Sequence, residues 1–135
     1  MNIIYYNVFL YWKDTRVKED SELKKLIYKL QNKFMRTCGN DISYLTMKKM
    51  IDDNSNIVVI DVRTKDEFRY NKLKGAINIP LQDISEDRVK KYIKNKNTLI
   101  IVYCEYGGRS KKALVKLKRM GYENVYNLEG GISAI

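Results

Sequence analysis

Residues 99–110 read Leu99-Ile-Ile-Val-Tyr-Cys104-Glu-Tyr-Gly-Gly-Arg-Ser110 and carry, in order, the signals of a strand, a tight loop and a helix start. The first five residues are continuously apolar or aromatic and rich in β-branched side chains, which is typical of a strand buried on both faces. Gly107 and Gly108 allow backbone torsions and a close ligand approach that other residues resist. A basic helix with one apolar face then begins at Arg109-Ser110. The pattern predicts a strand, a loop and a helix in immediate succession.

Cys104 stands in this loop, ahead of the predicted helix. Unpaired amides and about half a positive charge from the peptide dipoles make a helix N-terminus favourable for an anion. A free cysteine titrates near ~8.5, and such surroundings lower the pKa of the thiol. Arg109 adds a positive charge, whereas Glu105 acts in the opposite direction. We therefore predict that Cys104 is a thiolate nucleophile rather than a buried cysteine that serves as a small hydrophobic side chain.

The sequence on both sides of residues 99–110 alternates between helical and strand patterns. Helices are expected at 44–52, 65–70 and 84–93, and further strands at 57–62, 76–79 and 124–126. Because the strand patterns are apolar rather than alternating, they predict an α/β fold with a mainly parallel central sheet and helices on both faces. Ligands bind such sheets beyond the carboxyl ends of the strands, where the segments Asp61-Val-Arg63 and Cys104 to Arg109 are both expected.

Residues 37–41, Thr-Cys-Gly-Asn-Asp, carry turn chemistry and provide the best domain boundary. We predict an N-terminal extension at 1–40 and one domain at 41–135. The first dozen residues are apolar but fall short of the ~20 that a membrane span requires. They are expected to form an added strand or a flap on the domain or on a second copy, which leaves a monomer and a homodimer open. The extension should also contain an amphipathic helix, because apolar residues recur at helical spacing at Leu23, Leu26, Ile27, Leu30 and Phe34.

The amino-acid composition limits the kinds of catalysis and ligand binding that we expect of the protein. The 135 residues carry a net charge of +10, but lysine and arginine are spread along the chain, so binding of nucleic acid is not expected. The absence of histidine excludes Ser-His-Asp and Cys-His catalysis and every histidine-containing metal site. Cys38 and Cys104 are the only cysteines and lie far apart, which predicts neither a zinc cluster nor a disulfide framework and fits a reducing cytoplasm. No metal or cofactor is expected, and Cys38 is either an incidental thiol or one that forms a disulfide with Cys104.

Three separated motifs follow one another in the chain. The first combines Ile60-Asp-Val-Arg63, Glu67-Phe68 and Gly75-Ala-Ile-Asn-Ile-Pro80, the second is Tyr103-Cys-Glu-Tyr-Gly-Gly-Arg-Ser110, and the third is Asn124-Val-Tyr-Asn-Leu-Glu-Gly-Gly-Ile132. With these motifs, residues 41–135 resemble a single-domain rhodanese, a member of the sulfurtransferase family that carries sulfur as a cysteine persulfide. The chain departs from the family at Asn71-Lys-Leu73, where rhodaneses commonly have Gly-His-Ile. This departure bears on local packing and substrate preference rather than on the thiol chemistry.

The resemblance implies a sulfur transfer in two steps. The Cys104 thiolate would attack the sulfane sulfur of a small anionic donor such as thiosulfate, and a thiol or a protein acceptor would then remove that sulfur. Arg109 would orient the donor, the amides of residues 105–109 would stabilise the sulfur anion, and Ser110 would first of all cap the helix. The residues expected to bind substrate are Glu105, Tyr106, Gly107, Gly108, Arg109 and Ser110.

Two residues at the end of the earlier strand are expected to support the site. Asp61 would tie down the neighbouring loop through hydrogen bonds or pair with Arg109. Arg63 would either contact the donor at the rim of the site or remain solvated.

Two other functions remain open on the sequence alone. Four residues separate Cys104 from Arg109, whereas the related cysteine phosphatases have five, and the shorter loop should hold a tetrahedral phosphate less well than a terminal sulfur. Hydrolysis of phosphate esters is therefore less favoured than sulfur transfer. The other alternative is a non-catalytic module of the same fold that binds a protein which delivers or takes sulfur, and the retained cysteine argues against it.

Overall fold

Five short strands form one parallel sheet in the computed structural model of the protein, which describes residues 40–135. The strands are β1 (Asp41–Ile42), β2 (Ile57–Asp61), β3 (Ile77–Asn78), β4 (Leu99–Tyr103) and β5 (Val125–Leu128). Their order across the sheet is β1-β5-β4-β2-β3, and every neighbouring pair is parallel. Strands β2 and β4 pair over their whole length, so that Asp61 lies opposite Tyr103. The segments that follow these two strands therefore leave the sheet side by side at the same edge.

Within the described residues, four helices and two 3₁₀ turns connect the strands. They are α1 (Tyr44–Asp53), α2 (Lys65–Tyr70), α3 (Glu86–Lys90) and α4 (Gly108–Arg119), with the turns at Leu81–Asp83 and Ile132–Ala134. Helices α1, α2 and α3 begin behind a hydroxyl residue, Ser43, Thr64 and Ser85 respectively, whose side chain accepts a hydrogen bond from the amide three residues later. At α2 the cap is reciprocal, because the Glu67 side chain accepts a hydrogen bond from the Thr64 amide in return.

Apolar residues are buried on both faces of the sheet. Successive residues of β4 point to opposite sides, so Ile100 and Val102 join one core cluster while Ile101 and Tyr103 join the other. Helices α3 and α4 contribute residues to the first cluster, and α1 contributes to the second. This arrangement confirms the predicted α/β fold, with a parallel sheet covered by helices on both faces.

Several boundaries differ from the predictions. The helix expected at 84–93 is the shorter α3, because Ser85 caps its start and the chain turns after Lys90 on its way to β4. Strand β5 continues to Leu128, two residues beyond the predicted end, because Asn127 and Leu128 pair with β1. The sequence pattern does not predict β1 at all, since two residues carry no periodicity and are a strand only through their place beside β5.

Three predictions concern residues 1–39 and therefore lie outside the described residues. They are the apolar strand or flap, the amphipathic helix and a role for Cys38. Residues Asp41–Ile135 form a unit of their own. The longest described helix, α4, has 12 residues, and none of the helices within residues 40–135 is long and apolar enough to cross a membrane.

Candidate active site

Cys104 is the first residue after β4, and its sulfur lies against the start of α4. The amide of Gly107 donates a hydrogen bond to Sγ at 3.1 Å, and the amide of Ser110 donates at 3.4 Å. The Ser110 hydroxyl lies 3.3 Å from the same sulfur. The chain can turn this tightly because Gly107 has a φ of 105°, a left-handed conformation that glycine adopts without strain. The loop therefore turns backbone donors towards the thiol. The Gly107 amide belongs to the set predicted at residues 105–109, whereas the Ser110 amide lies outside it.

The pKa of Cys104 reflects two opposing influences. Burial is the larger single influence and would raise the pKa of the thiol. The Ser110 hydroxyl and the amides of Ser110, Gly107 and Tyr106 act against it, because each hydrogen bond stabilises the charged sulfur. Together they outweigh burial and lower the pKa of Cys104 below its ordinary value. The sulfur is thus held in surroundings that favour the thiolate.

Ser110 has a different place from the one predicted. Gly107 is the N-cap of α4, and Ser110 lies three residues later inside the helix, so its prediction as the cap is wrong. Its hydroxyl donates a hydrogen bond to the Gly107 carbonyl at 3.0 Å while lying beside the Cys104 sulfur. The sequence missed this because a serine near a helix start usually serves as a cap. Ser110 is instead a direct neighbour of the sulfur through two of its atoms.

The thiol lies beneath the surface of the loop. Cys104 exposes only 1% of its surface, whereas the side chain of Tyr106 in the same loop is on the outside, with 77% exposed. Gly108, the first residue of α4, has nothing within 4 Å of the position that a side chain would take. Because so little of Cys104 is exposed, a slender terminal atom meets less obstruction on its way to the sulfur than a bulky group does.

Arg109 faces a carboxylate rather than open solvent. Its two terminal nitrogens donate to the two carboxylate oxygens of Glu67, at 2.8 and 2.7 Å. These hydrogen bonds are the main reason that the pKa of Arg109 is raised, and they lower the pKa of Glu67 to about 2. Sequence reasoning assigned no role to Glu67. Its position, three residues after the capping Thr64, is that of a helix-cap residue, and the contact with Arg109 exists only because β2 and β4 are neighbours.

Arg63 is buried, so the prediction that it contacts a donor at the rim or is solvated is wrong. Its guanidinium donates to the Asp61 carboxylate, to the side-chain and backbone oxygens of Asn71, and to Glu105 at 3.1 Å. Asp61 therefore pairs with Arg63 and not with Arg109, and it also accepts a hydrogen bond from the Arg63 amide at 2.9 Å. This cluster ties the end of β2 to the residue that follows Cys104.

The C-terminal turn holds the other side of the cysteine loop. The amide of Ile132 donates to the Cys104 carbonyl at 2.9 Å, and the amide of Ser133 donates to the Glu105 carbonyl at 3.1 Å. Gly131 approaches so closely that a side chain on it would collide with both carbonyls. These contacts engage the carbonyl groups of the loop away from the sulfur.

The parallel sheet and the sulfur enclosed by amide groups define an α/β protein with a cysteine activated by its own loop. The family model of the rhodanese-like domain matches residues 43–135, and the chain belongs to this family.

The named relatives include a tRNA hydroxylase and a thiosulfate sulfurtransferase. A tRNA uridine(34) hydroxylase of Wolbachia sp. subsp. Brugia malayi is 29% identical over 133 residues, which cover 91% of this chain and 49% of that protein. The thiosulfate sulfurtransferase PspE of Escherichia coli is 39% identical over 71 residues, which cover 53% of this chain and 67% of that protein. The crystal structure of a rhodanese-like domain protein from Staphylococcus aureus matches with a TM-score of 0.63 and 28% identity, over 71% of this chain and 90% of that one. The chain spans about half or less of the length of the hydroxylases that it matches.

Proposed function

We propose that the protein is a sulfurtransferase that moves a sulfane sulfur from a donor such as thiosulfate to a thiophilic acceptor through a persulfide on Cys104. The observation that carries the proposal is the set of donors around the sulfur, namely the amides of Gly107 and Ser110 and the adjacent Ser110 hydroxyl. A thiolate and a persulfide anion place negative charge in the same small region. Preorganised donors stabilise such charge without reorganising during the reaction.

The reaction proceeds by two displacements. In the first, the Cys104 thiolate attacks the outer sulfur of thiosulfate, the S–S bond of the donor breaks, and its electron pair leaves with sulfite. In the second, an acceptor thiolate attacks the outer sulfur of the Cys104 persulfide and the enzyme thiolate is released. This is covalent catalysis with ping-pong kinetics. Cys104 reacts directly, the loop amides stabilise the sulfur, and the Arg63 cluster and C-terminal turn hold the loop in position.

The Wolbachia relative motivates a second candidate. Its similarity extends over 133 residues, which is longer than the segment 43–135 that the family model matches. The alternative is that the protein takes part in the hydroxylation of a tRNA uridine, the activity in that relative's name. Sulfur transfer ranks first because it needs only the cysteine loop. The hydroxylase activity, in contrast, belongs to a protein of which this chain spans only about half. Formation of hydroxyuridine that depends on Cys104, measured by nucleoside mass spectrometry on unmodified tRNA, would reverse this order.

Intact-mass analysis after treatment with thiosulfate tests the proposed function. The parent protein is expected to gain one sulfur atom, and Cys104→Ser is expected to gain none. Cys38→Ser, which removes the other cysteine of the chain, is the matched control and should gain sulfur as the parent does.

The other outcomes are also informative. No gain by the folded parent with thiosulfate or with a hydropersulfide would overturn sulfur transfer and favour a non-catalytic binding module. Rapid, Cys104-dependent hydrolysis of para-nitrophenyl phosphate would instead favour a phosphatase.

A further inference from the structure

The arginine of the cysteine loop is already held by a carboxylate. Arg109 and Glu67 form a bidentate pair in which each terminal nitrogen faces one carboxylate oxygen. Glu67 is fixed in turn, because one of its oxygens also accepts hydrogen bonds from the amide and the hydroxyl of Thr64. A donor anion that approaches Arg109 therefore meets a guanidinium whose charge is compensated and whose orientation is set by α2.

The positive charge of the second guanidinium next to the loop, that of Arg63, is balanced by carboxylates as well. Arg63 directs its N–H groups to Asp61, Asn71 and Glu105 and is almost completely buried. Among the described residues, the ion pairs at the loop thus join two arginines to three carboxylates. The hydrogen bonds to the sulfur, rather than an excess of positive side chains, favour the thiolate here. Because the arginines are balanced by carboxylates, these side chains attract a doubly charged anionic substrate only weakly.

Sulfane-sulfur donors differ in the charge that they bring to such a site. Thiosulfate is a dianion, and sulfite leaves with both charges, so its oxygens need cations or donors near the thiol. A hydropersulfide, R–S–SH, brings at most one charge on its reacting group and presents its outer sulfur at the end of a slender chain. That shape also suits a thiol that is 1% exposed.

We propose that Glu67 determines the donor preference of the site: by holding Arg109, it disfavours thiosulfate and favours donors of the hydropersulfide class. This inference rests on the sulfur transfer proposed above and specifies its donor. In the reaction, the Cys104 thiolate forms a bond to the outer sulfur of R–S–SH while the donor S–S bond breaks. The electron pair leaves with R–S⁻, and the proton stays on the new persulfide, so no oxidant or reductant is consumed. Glu67 is a positioning residue that acts through Arg109.

The donor preference of Glu67→Gln tests this proposal. Glutamine keeps the size of the side chain and one acceptor oxygen but removes the charge. Persulfide formation on Cys104 is followed by rapid-quench mass spectrometry with thiosulfate and with the hydropersulfide of 2-mercaptoethanol, whose organic part is uncharged. The rate constant with thiosulfate, relative to that with the hydropersulfide, should rise by about tenfold, since one negative charge is removed near a dianion. The gain should appear as a lower KM for thiosulfate with little change in the KM for the hydropersulfide.

Two control variants separate the charge effect from other causes. Thr64→Ala removes the two hydrogen bonds of the Thr64 hydroxyl but keeps the bond from the Thr64 amide to Glu67, so that the Glu67 and Arg109 pair stays in place. Glu86→Gln makes the same chemical change at an exposed glutamate that pairs with Lys90 and Lys96. Both should keep the donor ratio of the parent. Glu67→Met, uncharged and of similar size, repeats the test if the glutamine variant does not fold.

The outcomes distinguish this inference from the function on which it rests. An unchanged donor ratio in folded Glu67→Gln, or an equal shift in either control, would overturn the role of Glu67 while sulfur transfer stands. If the parent accepts sulfur from neither donor, the proposed function fails and this inference fails with it.

Discussion

The hydroxyl of Ser110 has one hydrogen and two neighbours that can accept it. It donates to the Gly107 carbonyl at 3.0 Å, and the Cys104 sulfur lies 3.3 Å away. While the sulfur is a neutral thiol, the S–H group can donate to the hydroxyl oxygen. When the sulfur is charged, the hydroxyl hydrogen can turn towards it. Ser110 therefore stabilises the charged form in particular, which is what a nucleophile and a persulfide anion both require.

Ser110→Ala should weaken the nucleophile in a pH-dependent way. The variant loses a hydrogen bond that lowers the pKa of Cys104, while burial, which raises the pKa, remains. The pKa should therefore rise, and alkylation by iodoacetamide near neutral pH should slow by about tenfold, the value of one hydrogen bond to a charged group. At high pH, where both proteins are thiolates, the rates should converge.

A matched serine gives the control for this experiment. Ser133→Ala removes an exposed hydroxyl that donates to the Gly130 carbonyl, away from the sulfur. Its pH profile should follow that of the parent. A profile of Ser110→Ala that coincides with the parent over the whole pH range would show that the hydroxyl does not act on the sulfur.

At the level of single residues, the sequence predicts the reactive atom better than its surroundings. A cysteine followed by two glycines and a helix start identifies Cys104, because all of these signals are local. The partner of Arg109 is not local, since Glu67 lies 42 residues earlier. Arg63 looks like a surface arginine in sequence, and only the folded chain brings Asn71 and Glu105 to it and buries it.

Among the structural elements, the C-terminal turn has the clearest effect on the site. Its amides bind the carbonyls of Cys104 and Glu105, at 2.9 and 3.1 Å. Because those carbonyls are engaged there, the next peptide groups can present their amides to the sulfur. The turn can approach because Gly131 has no side chain and a φ of 66°.

Gly131→Ala should therefore damage the cysteine loop. A methyl group would collide with the carbonyls of Cys104 and Glu105, and the backbone conformation would be strained as well. We expect a loss of about 1–3 kcal/mol in the free energy of unfolding, measured with urea. We also expect persulfide formation to fall by at least about tenfold, because displaced amides no longer stabilise the sulfur.

Gly121→Ala is the control for strain without a collision. Gly121 has a φ of 90°, but nothing lies within 4 Å of the position of an added methyl group. This variant should lose stability from backbone strain and yet form the persulfide at the rate of the parent. Equal rates in both variants would contradict a role of the turn in positioning the loop.

The elements themselves were predictable to different degrees. Strand β4 and helix α4 follow from long apolar runs and helical spacing, and α2 matches its predicted bounds of 65–70. The prediction fails where an element depends on its neighbours, as β1 does on β5, or where the chain leaves a helix early to reach a strand, as it does after α3. The close approach of the C-terminal turn to the loop could not be predicted, because a Gly-Gly pair in sequence indicates only a turn.

For the whole molecule, the order of the strands is what assembles the site. Because β2 and β4 are adjacent and in register, the chain after Asp61 and the chain after Tyr103 emerge together. Two ion pairs then connect these segments, Arg63 with Glu105 and Arg109 with Glu67. The second pair joins α2 to α4 and should therefore contribute to global stability as well as to donor preference.

The stability contribution of Glu67 should depend on pH in a defined direction. Its pKa falls from an ordinary 4.5 to about 2 in the folded protein, mainly through the hydrogen bonds from Arg109. A group whose pKa is lowered by folding stabilises the folded state above its unfolded pKa and loses that effect as pH falls towards the folded pKa. The contribution should thus be complete above about pH 5 and decline between pH 4.5 and 2. Its size should be about 1 kcal/mol, because the pair is one-third exposed and solvent screens it.

Urea unfolding of the parent and of Glu67→Gln at several pH values between 7 and 3 measures this contribution, since glutamine does not titrate. The difference in the free energy of unfolding should be constant from pH 7 to about 5 and shrink below that. Asp66→Asn is the control, because Asp66 pairs with Arg69 on the surface, where both side chains are at least three-quarters exposed, and its removal should leave stability nearly unchanged. The difference in the free energy of unfolding between the parent and Glu67→Gln could instead stay undiminished at pH 3. In that case the variant loses stability through packing or capping rather than through the charge that holds Arg109.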